Sequence, residues 1–125
     1  DQVGATALYS LGPEYFQRVK EEYRRRRDVC YEKLSKIPGV VCAEPKGAFY
    51  AMAKLPVEDT ELFQTWLLTD FEDREETVMF SPGKGFYATE GKGVDEIRIA
   101  YVLNENDLSR ALDLLAIALE QYNNR

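Results

Sequence analysis

The sequence predicts a two-layer α+β domain: a mostly antiparallel sheet with helices packed on one face, opened by a long N-terminal helix and closed by a C-terminal helix. Three observations carry this expectation. Apolar residues recur at helical steps between Gly12 and Pro38 and again between Leu108 and Tyr122, the mark of helices with one buried stripe. Between those segments lie short stretches with β-strand bias, separated by turns that carry Gly and Pro. The chain is 125 residues long and 45% hydrophobic, which suits one core and one domain.

Gly12-Pro13-Glu14 marks the start of the first long helix. Proline at the first helical position gives up no useful N–H, and an acidic first turn suits the positive end of the helix dipole. Pro38-Gly39 marks its end. Its stripe is Phe16, Val19, Tyr23, Cys30, Leu34 and Ile37, interrupted by Arg26 and Arg27. Strands are expected over Val40 to Ala43 and Ala48 to Leu55, joined antiparallel by a hairpin-type turn at Glu44-Pro45-Lys46-Gly47. Asp59 or Thr60 caps a further helix, with Leu62, Phe63, Trp66, Leu67 and Phe71 on its apolar face and the charged stretch Glu72 to Glu76 at its end.

A strand over Thr77 to Phe80 then leads into the loop Ser81-Pro82-Gly83-Lys84-Gly85, and Gly91-Lys92-Gly93 marks a second loop. From Val94 to Leu103 the pattern alternates: Ile97, Ile99, Tyr101 and Leu103 fall on one sheet face, and Arg98, Ala100 and Val102 on the other. Asn104, with Asp107 three residues on, resembles a capping box. Leu108, Ala111, Leu112, Leu115, Ala118, Leu119 and Tyr122 form the stripe of the last helix. Residues 1–125 are read as a single domain, with 1–12 as a linker or interdomain segment.

Composition excludes several chemistries. With His at 0, a Ser-His-Asp triad, a Cys-His pair and an H-E-x-x-H zinc helix cannot form within this chain. Cys30 and Cys42, its only cysteines, are expected to be buried free thiols. Lys+Arg 16 against Asp+Glu 22 leaves a net charge of −6, opposite to the basic surplus of a nucleic-acid module. Arg24 to Arg27 do not reverse that reading: consecutive helical positions point about 100° apart, and Glu21, Glu22 and Asp28 flank them. They read as a solvated helix surface, with Arg26 and Arg27 the two placed to reach carboxylates or carbonyls of another domain. Neither glycine-lysine loop has phosphate-loop spacing. No apolar run has the length of a membrane span and no secretory leader is recognisable, so no membrane partner and a cytoplasmic location are expected.

Arg98 is the sharpest residue. Between Ile97 and Ile99, its charge cannot be removed by deprotonation and would be costly if buried unpaired. Two readings stand: an internal Asp or Glu partner or an exposed sheet face, and bidentate recognition of a ligand carboxylate by the planar guanidinium.

Four segments in order resemble the C-terminal small domain of class I aminotransferases, the pyridoxal-phosphate enzymes of the aspartate aminotransferase fold type. They are Pro45-Lys46-Gly47-Ala48-Phe49-Tyr50, Val78 to Gly83 with Phe86, Glu96-Ile97-Arg98-Ile99-Ala100-Tyr101, and Leu108 to Leu119. The resemblance implies that Arg98 grips the substrate α-carboxylate and that Gly47, Ala48 and Phe49, with Tyr50 beside them, shape the substrate pocket. It implies amino acid and 2-oxo acid substrates, a homodimeric parent, and a large domain that holds pyridoxal phosphate. The cofactor-anchoring lysine, the aspartate facing the pyridinium nitrogen and the phosphate-binding groups belong to that large domain. No segment here matches them, so no lysine of this chain is nominated and the chain alone is expected to be inactive. Lys84, Gly85 and Tyr87 depart from the small residues expected in the Pro-Gly loop. The alternative is a non-catalytic ligand-sensing or interaction domain that binds small acids through Arg98; its mark would be tight binding of amino or keto acids by this chain alone.

Overall fold

The computed structural model describes residues 1–125, with elements in the order α1 (Gln2–Thr6), α2 (Pro13–Lys36), β1 (Val41–Cys42), β2 (Tyr50–Lys54), α3 (Thr60–Thr69), β3 (Ser81–Pro82), β4 (Glu96–Ala100) and α4 (Glu105–Asn123), plus 3-10 turns at Ala7–Ser10 and Lys84–Phe86. The capping chemistry sets the helix ends. Pro13 opens α2 with Glu14 in its first turn, and Lys33 and Lys36 lie in its last. Asp59 caps α3 by accepting hydrogen bonds from the Glu61 and Leu62 amides at 2.7 and 3.2 Å. Asn104 caps α4 by accepting from the Asp107 amide at 3.0 Å. No helix is long and apolar enough to cross a membrane.

The four strands form one sheet in the order β1-β2-β4-β3, and every neighbouring pair is antiparallel. Pro82 pairs at an edge strand, where a missing N–H costs no interior ladder bond. The centre is the β2–β4 pair, Tyr50 opposite Ala100 through to Lys54 opposite Glu96. Ala51, Ala53 and Ile97 from its inner face join Tyr101, Cys30 and Leu34 of α2, Phe63 and Leu67 of α3, and Leu108, Leu112, Leu115 and Leu119 of α4 in one buried cluster. Each fully buried large side chain contributes roughly 1.5 to 3 kcal/mol, and the small alanines of β2 let the helices approach the sheet closely. Thr60 adds a polar tie: buried, it donates its hydroxyl to the Val94 and Glu96 carbonyls at 3.0 and 3.1 Å and so joins the start of α3 to β4.

Several expectations need correction. The strand expected over Thr77 to Phe80 lies instead at Ser81–Pro82. Val78 and Phe80 pack partly against the core, but the Phe80 amide donates to the Gln64 side chain at 3.0 Å rather than to a strand. The Glu44 to Gly47 turn is part of a longer connection, since β2 begins only at Tyr50. The helix containing Leu62 stops at Thr69, before Phe71, and Leu62 faces solvent. The α2 stripe is buried only in its second half: Cys30 and Leu34 are sealed, whereas Phe16 is 53% exposed. Cys42 is only half-buried. Residues 1–12 contain a short helix and a 3-10 turn with no buried residue.

Candidate functional site

Alternation along β2 and β4 builds the outer face of the sheet. Residues paired directly across strands project from the same face, so Met52, Arg98 and Ser81 form one row, with Tyr50 and Ala100 on one side of it and Lys54 and Glu96 on the other. None of these side chains is sealed, while Ala51, Ala53 and Ile97 between them are. Arg98 therefore stands on the face that the helices leave open.

The Arg98 guanidinium carbon lies 4.6 Å from the Tyr50 ring centroid and 4.2 Å from that of Phe86. Tyr50 reaches it diagonally from β2, and Phe86 from the 3-10 turn that follows β3. Arg98 takes part in no ion pair and no side-chain hydrogen bond, and no buried polar side-chain atom of the chain lacks a partner, so its N–H groups open to solvent. Of the first reading, the internal carboxylate partner is absent and the open sheet face is what Arg98 occupies. Glu96, two residues away on the same face, accepts a hydrogen bond from the Tyr87 hydroxyl instead. That bond, with partial burial, holds the Tyr87 phenol above its ordinary range. A permanent cation held by ring contacts, with its hydrogen-bonding edge free, can take a planar anion in two parallel N–H···O bonds.

Gly47, Ala48 and Phe49 lie in the connection before β2. Ala48 adopts a positive φ of 55°, a conformation that costs a non-glycine residue free energy and persists only when surroundings enforce it. Tyr101 supplies that enforcement: its buried hydroxyl donates to the Ala48 carbonyl at 3.0 Å, and its amide donates to the Phe49 carbonyl, also at 3.0 Å. Burial raises the Tyr101 phenol above its usual value, which keeps it a donor. The Phe49 ring packs 4.4 Å from Tyr50 and 6.1 Å from Tyr23 of α2. Gly47 faces open space.

These residues and Arg98 line different clefts. Gly47, Ala48 and Phe49 border one of about 420 Å³ against Phe16, Lys20 and Tyr23 of α2. An apolar cleft of about 260 Å³ lies on the helix side of β4, against Val78, Phe80, Ile99, Leu103 and Leu112, and Arg98 meets it only at the strand. Tyr101 and Glu96 were not singled out from sequence; an acidic residue two places from Arg98 on an alternating strand was the available signal for the second.

Three of the four arginines in the run are engaged within the chain. Arg26 donates to Glu22 at 2.9 Å and to the Val102 carbonyl at 2.6 Å, Arg27 binds Asp28, and Arg25 binds Glu105 at 3.0 Å. Arg26 and Arg27 thus each have a partner within this chain.

Most of the lysines are tied to carboxylates within the chain. Lys33, Lys36, Lys46 and Lys54 are held by Asp113, Glu32, Glu44 and Asp95, Lys84 faces Glu61 at 3.6 Å, and Lys20 and Lys92 project from exposed positions. The hydrogen bond that Lys54 donates to Asp95 raises the Lys54 pKa, opposite to what a nucleophilic amine requires.

Comparison with known proteins places this geometry in context. A family model described as aminotransferase class I and II matches residues 3–115. The aspartate aminotransferase of Bacillus subtilis is 30% identical over 97% of this chain, and an LL-diaminopimelate aminotransferase of Oleidesulfovibrio alaskensis is 31% identical over 92% of it. The chain spans 30% and 28% of those relatives. LysN, an alpha-aminoadipate aminotransferase from Thermus thermophilus solved with a phosphopyridoxyl-leucine, superposes with a TM-score of 0.72 at 27% identity, covering 86% of this chain and 27% of that one. An aspartate aminotransferase from Rhodobacter sphaeroides shares the fold at a TM-score of 0.77 and 17% identity, covering 90% of this chain and 27% of that one.

Proposed function

Because the chain belongs to the aminotransferase class I and II family, we propose that it is the substrate-carboxylate-binding domain of a pyridoxal-phosphate-dependent enzyme that transfers an amino group between an amino acid and a 2-oxo acid. The observation that carries this reading is the Arg98 guanidinium, held between Tyr50 and Phe86 without any protein carboxylate on it. The relatives are named for aspartate, LL-diaminopimelate and alpha-aminoadipate. These molecules differ in their side chains and have in common an amino group beside a carboxylate, the group that one arginine can read for all of them.

On this reading the cofactor is held by the part of the parent outside this chain, and the lysines described above take no role in it. Arg98 binds the substrate carboxylate and fixes the amino group's direction, and restricting a reactant in this way accounts for part of a catalytic barrier. Gly47, Ala48 and Phe49 border the separate cleft against α2 and shape the approach to the substrate, with the Ala48 carbonyl held by Tyr101. The exposed Val3, Leu8 and Tyr9, continued by Phe16 on α2, form the surface on which the large domain packs. The parent is a cytoplasmic homodimer.

Two experiments test this. In the full-length parent, Arg98→Ala is expected to lower kcat/KM by roughly 10- to 100-fold, the loss of a charge-assisted bidentate contact of about 1.5 to 3 kcal/mol. Unchanged amino-acid kinetics would refute the assignment. The 125-residue chain by itself, mixed with pyridoxal phosphate and dialysed, is expected to keep no visible absorbance; stoichiometric retention would contradict it.

A further inference from the structure

A strand that carries Glu96 and Arg98 on the same face has an internal ion pair within reach, because residues two apart lie about 7 Å from each other along a strand. Such a pair would neutralise the cation on which carboxylate capture depends. Lys54, directly opposite Glu96, does not prevent it, since Lys54 binds Asp95 at 2.7 Å. The group that engages Glu96 is the Tyr87 hydroxyl. The residue before it, Phe86, lies over Arg98.

We infer that Phe86 and Tyr87 are positioning residues that keep Arg98 oriented and unpaired: Phe86, with Tyr50, restrains the guanidinium through ring contacts, and Tyr87 holds Glu96 away from it. This inference rests on the carboxylate-binding role proposed above for Arg98. Two glycines seat the turn that carries both aromatics. A Cβ on Gly83 would meet the Glu96 carbonyl oxygen at 2.7 Å, and the Gly83 amide donates to that oxygen at 2.6 Å. A Cβ on Gly93 would meet the Tyr87 ring at 2.4 Å, and Gly93 has a positive φ of 72°. The turn is thus pressed onto the start of β4, with one aromatic over the cation and the next on the carboxylate. Ring contacts suit this task better than hydrogen bonds, since they restrict a flexible arginine while leaving its N–H groups for a ligand. Phe86 and Tyr50 are 48% and 39% exposed, so truncating them does not empty the core.

The test uses steady-state kinetics of the full-length, cofactor-loaded parent, with inhibition by succinate as a readout of carboxylate binding. Tyr87→Phe frees Glu96 and is expected to raise KM and the succinate inhibition constant about 5-fold, with kcat changed less than about two-fold, the pattern of lost uniform binding. Glu96→Gln alone is expected to be near neutral, and Tyr87→Phe with Glu96→Gln to return KM to the starting value. Phe86→Leu and Tyr50→Leu are each expected to raise KM by about 3- to 10-fold, while Phe86→Tyr and Tyr50→Phe retain it. Failure of Glu96→Gln to rescue Tyr87→Phe, or no effect of Tyr87→Phe, overturns the inference. If Arg98→Ala leaves both constants unchanged, the underlying role of Arg98 fails; if only Arg98→Ala acts, that role stands and the positioning role of the two aromatics falls.

Discussion

Ile97 and Arg98 are neighbours on β4 and do opposite work. Ile97 is fully buried in the cluster formed with α2, α3 and α4, while Arg98 stands half-buried on the uncovered face between two aromatic rings. One strand therefore serves stability with its odd-numbered residues and, on the function proposed above, recognition with its even-numbered ones. The difference teaches that the two properties are separable here at the spacing of a single residue, since adjacent side chains on a strand share almost no contacts.

The largest test of that separation is a pair of substitutions. Ile97→Ala should lower stability by about 2 to 5 kcal/mol, as expected for a core truncation that leaves a cavity. Arg98→Ala should cost less than about 1 kcal/mol, since only ring contacts are lost. Chemical denaturation followed at Trp66, the chain's single tryptophan, would show both; a comparable loss from each would break the comparison.

Gly83→Ala sharpens it, because Gly83 belongs to both regions. It is buried against the Glu96 backbone and carries the turn that delivers Phe86. Added volume there should cost about 1 to 3 kcal/mol and also raise KM, whereas Ile97→Ala should leave KM alone at temperatures where the fold persists. The smallest effect concerns the thiols. Burial pushes the Cys30 thiol up to about 12, and Cys42, half-buried, is raised less strongly. A folded-state value above the unfolded one, about 8.5, means that stability falls as pH rises from about 8.5 toward 12. At pH near 8, iodoacetamide should label Cys42 well before Cys30, as read by mass spectrometry; equal labelling would show that the inner layer is not sealed.

Much of this was legible in the residues. Helix ends followed from Pro13, Asp59 and Asn104 because capping is local chemistry. The alternation around Arg98 placed it on the open face because side chains alternate along a strand. Other features were not legible, each for a physical reason. Ser81–Pro82 displaced Thr77 to Phe80 as the strand because pairing depends on the register β4 offers and on the Gln64 side chain that takes the Phe80 amide. The first half of the α2 stripe stays exposed because the core cluster meets α2 only near Cys30 and Leu34. Arg26 found the Val102 carbonyl 76 residues away, a contact that no local pattern encodes.

The order of residues alone determined the three long helices' starts and caps, the two-faced strand and the cation on its outer side, since each follows from periodicity or from chemistry within a few positions. Folding in three dimensions decided which partner each polar group met: Glu96 went to Tyr87, Arg98 to two rings, and the Ala48 carbonyl to Tyr101. Those pairings lie beyond the reach of a local pattern, and it is their geometry, fixed only when sheet and turns pack together, that leaves the Arg98 guanidinium without a protein carboxylate.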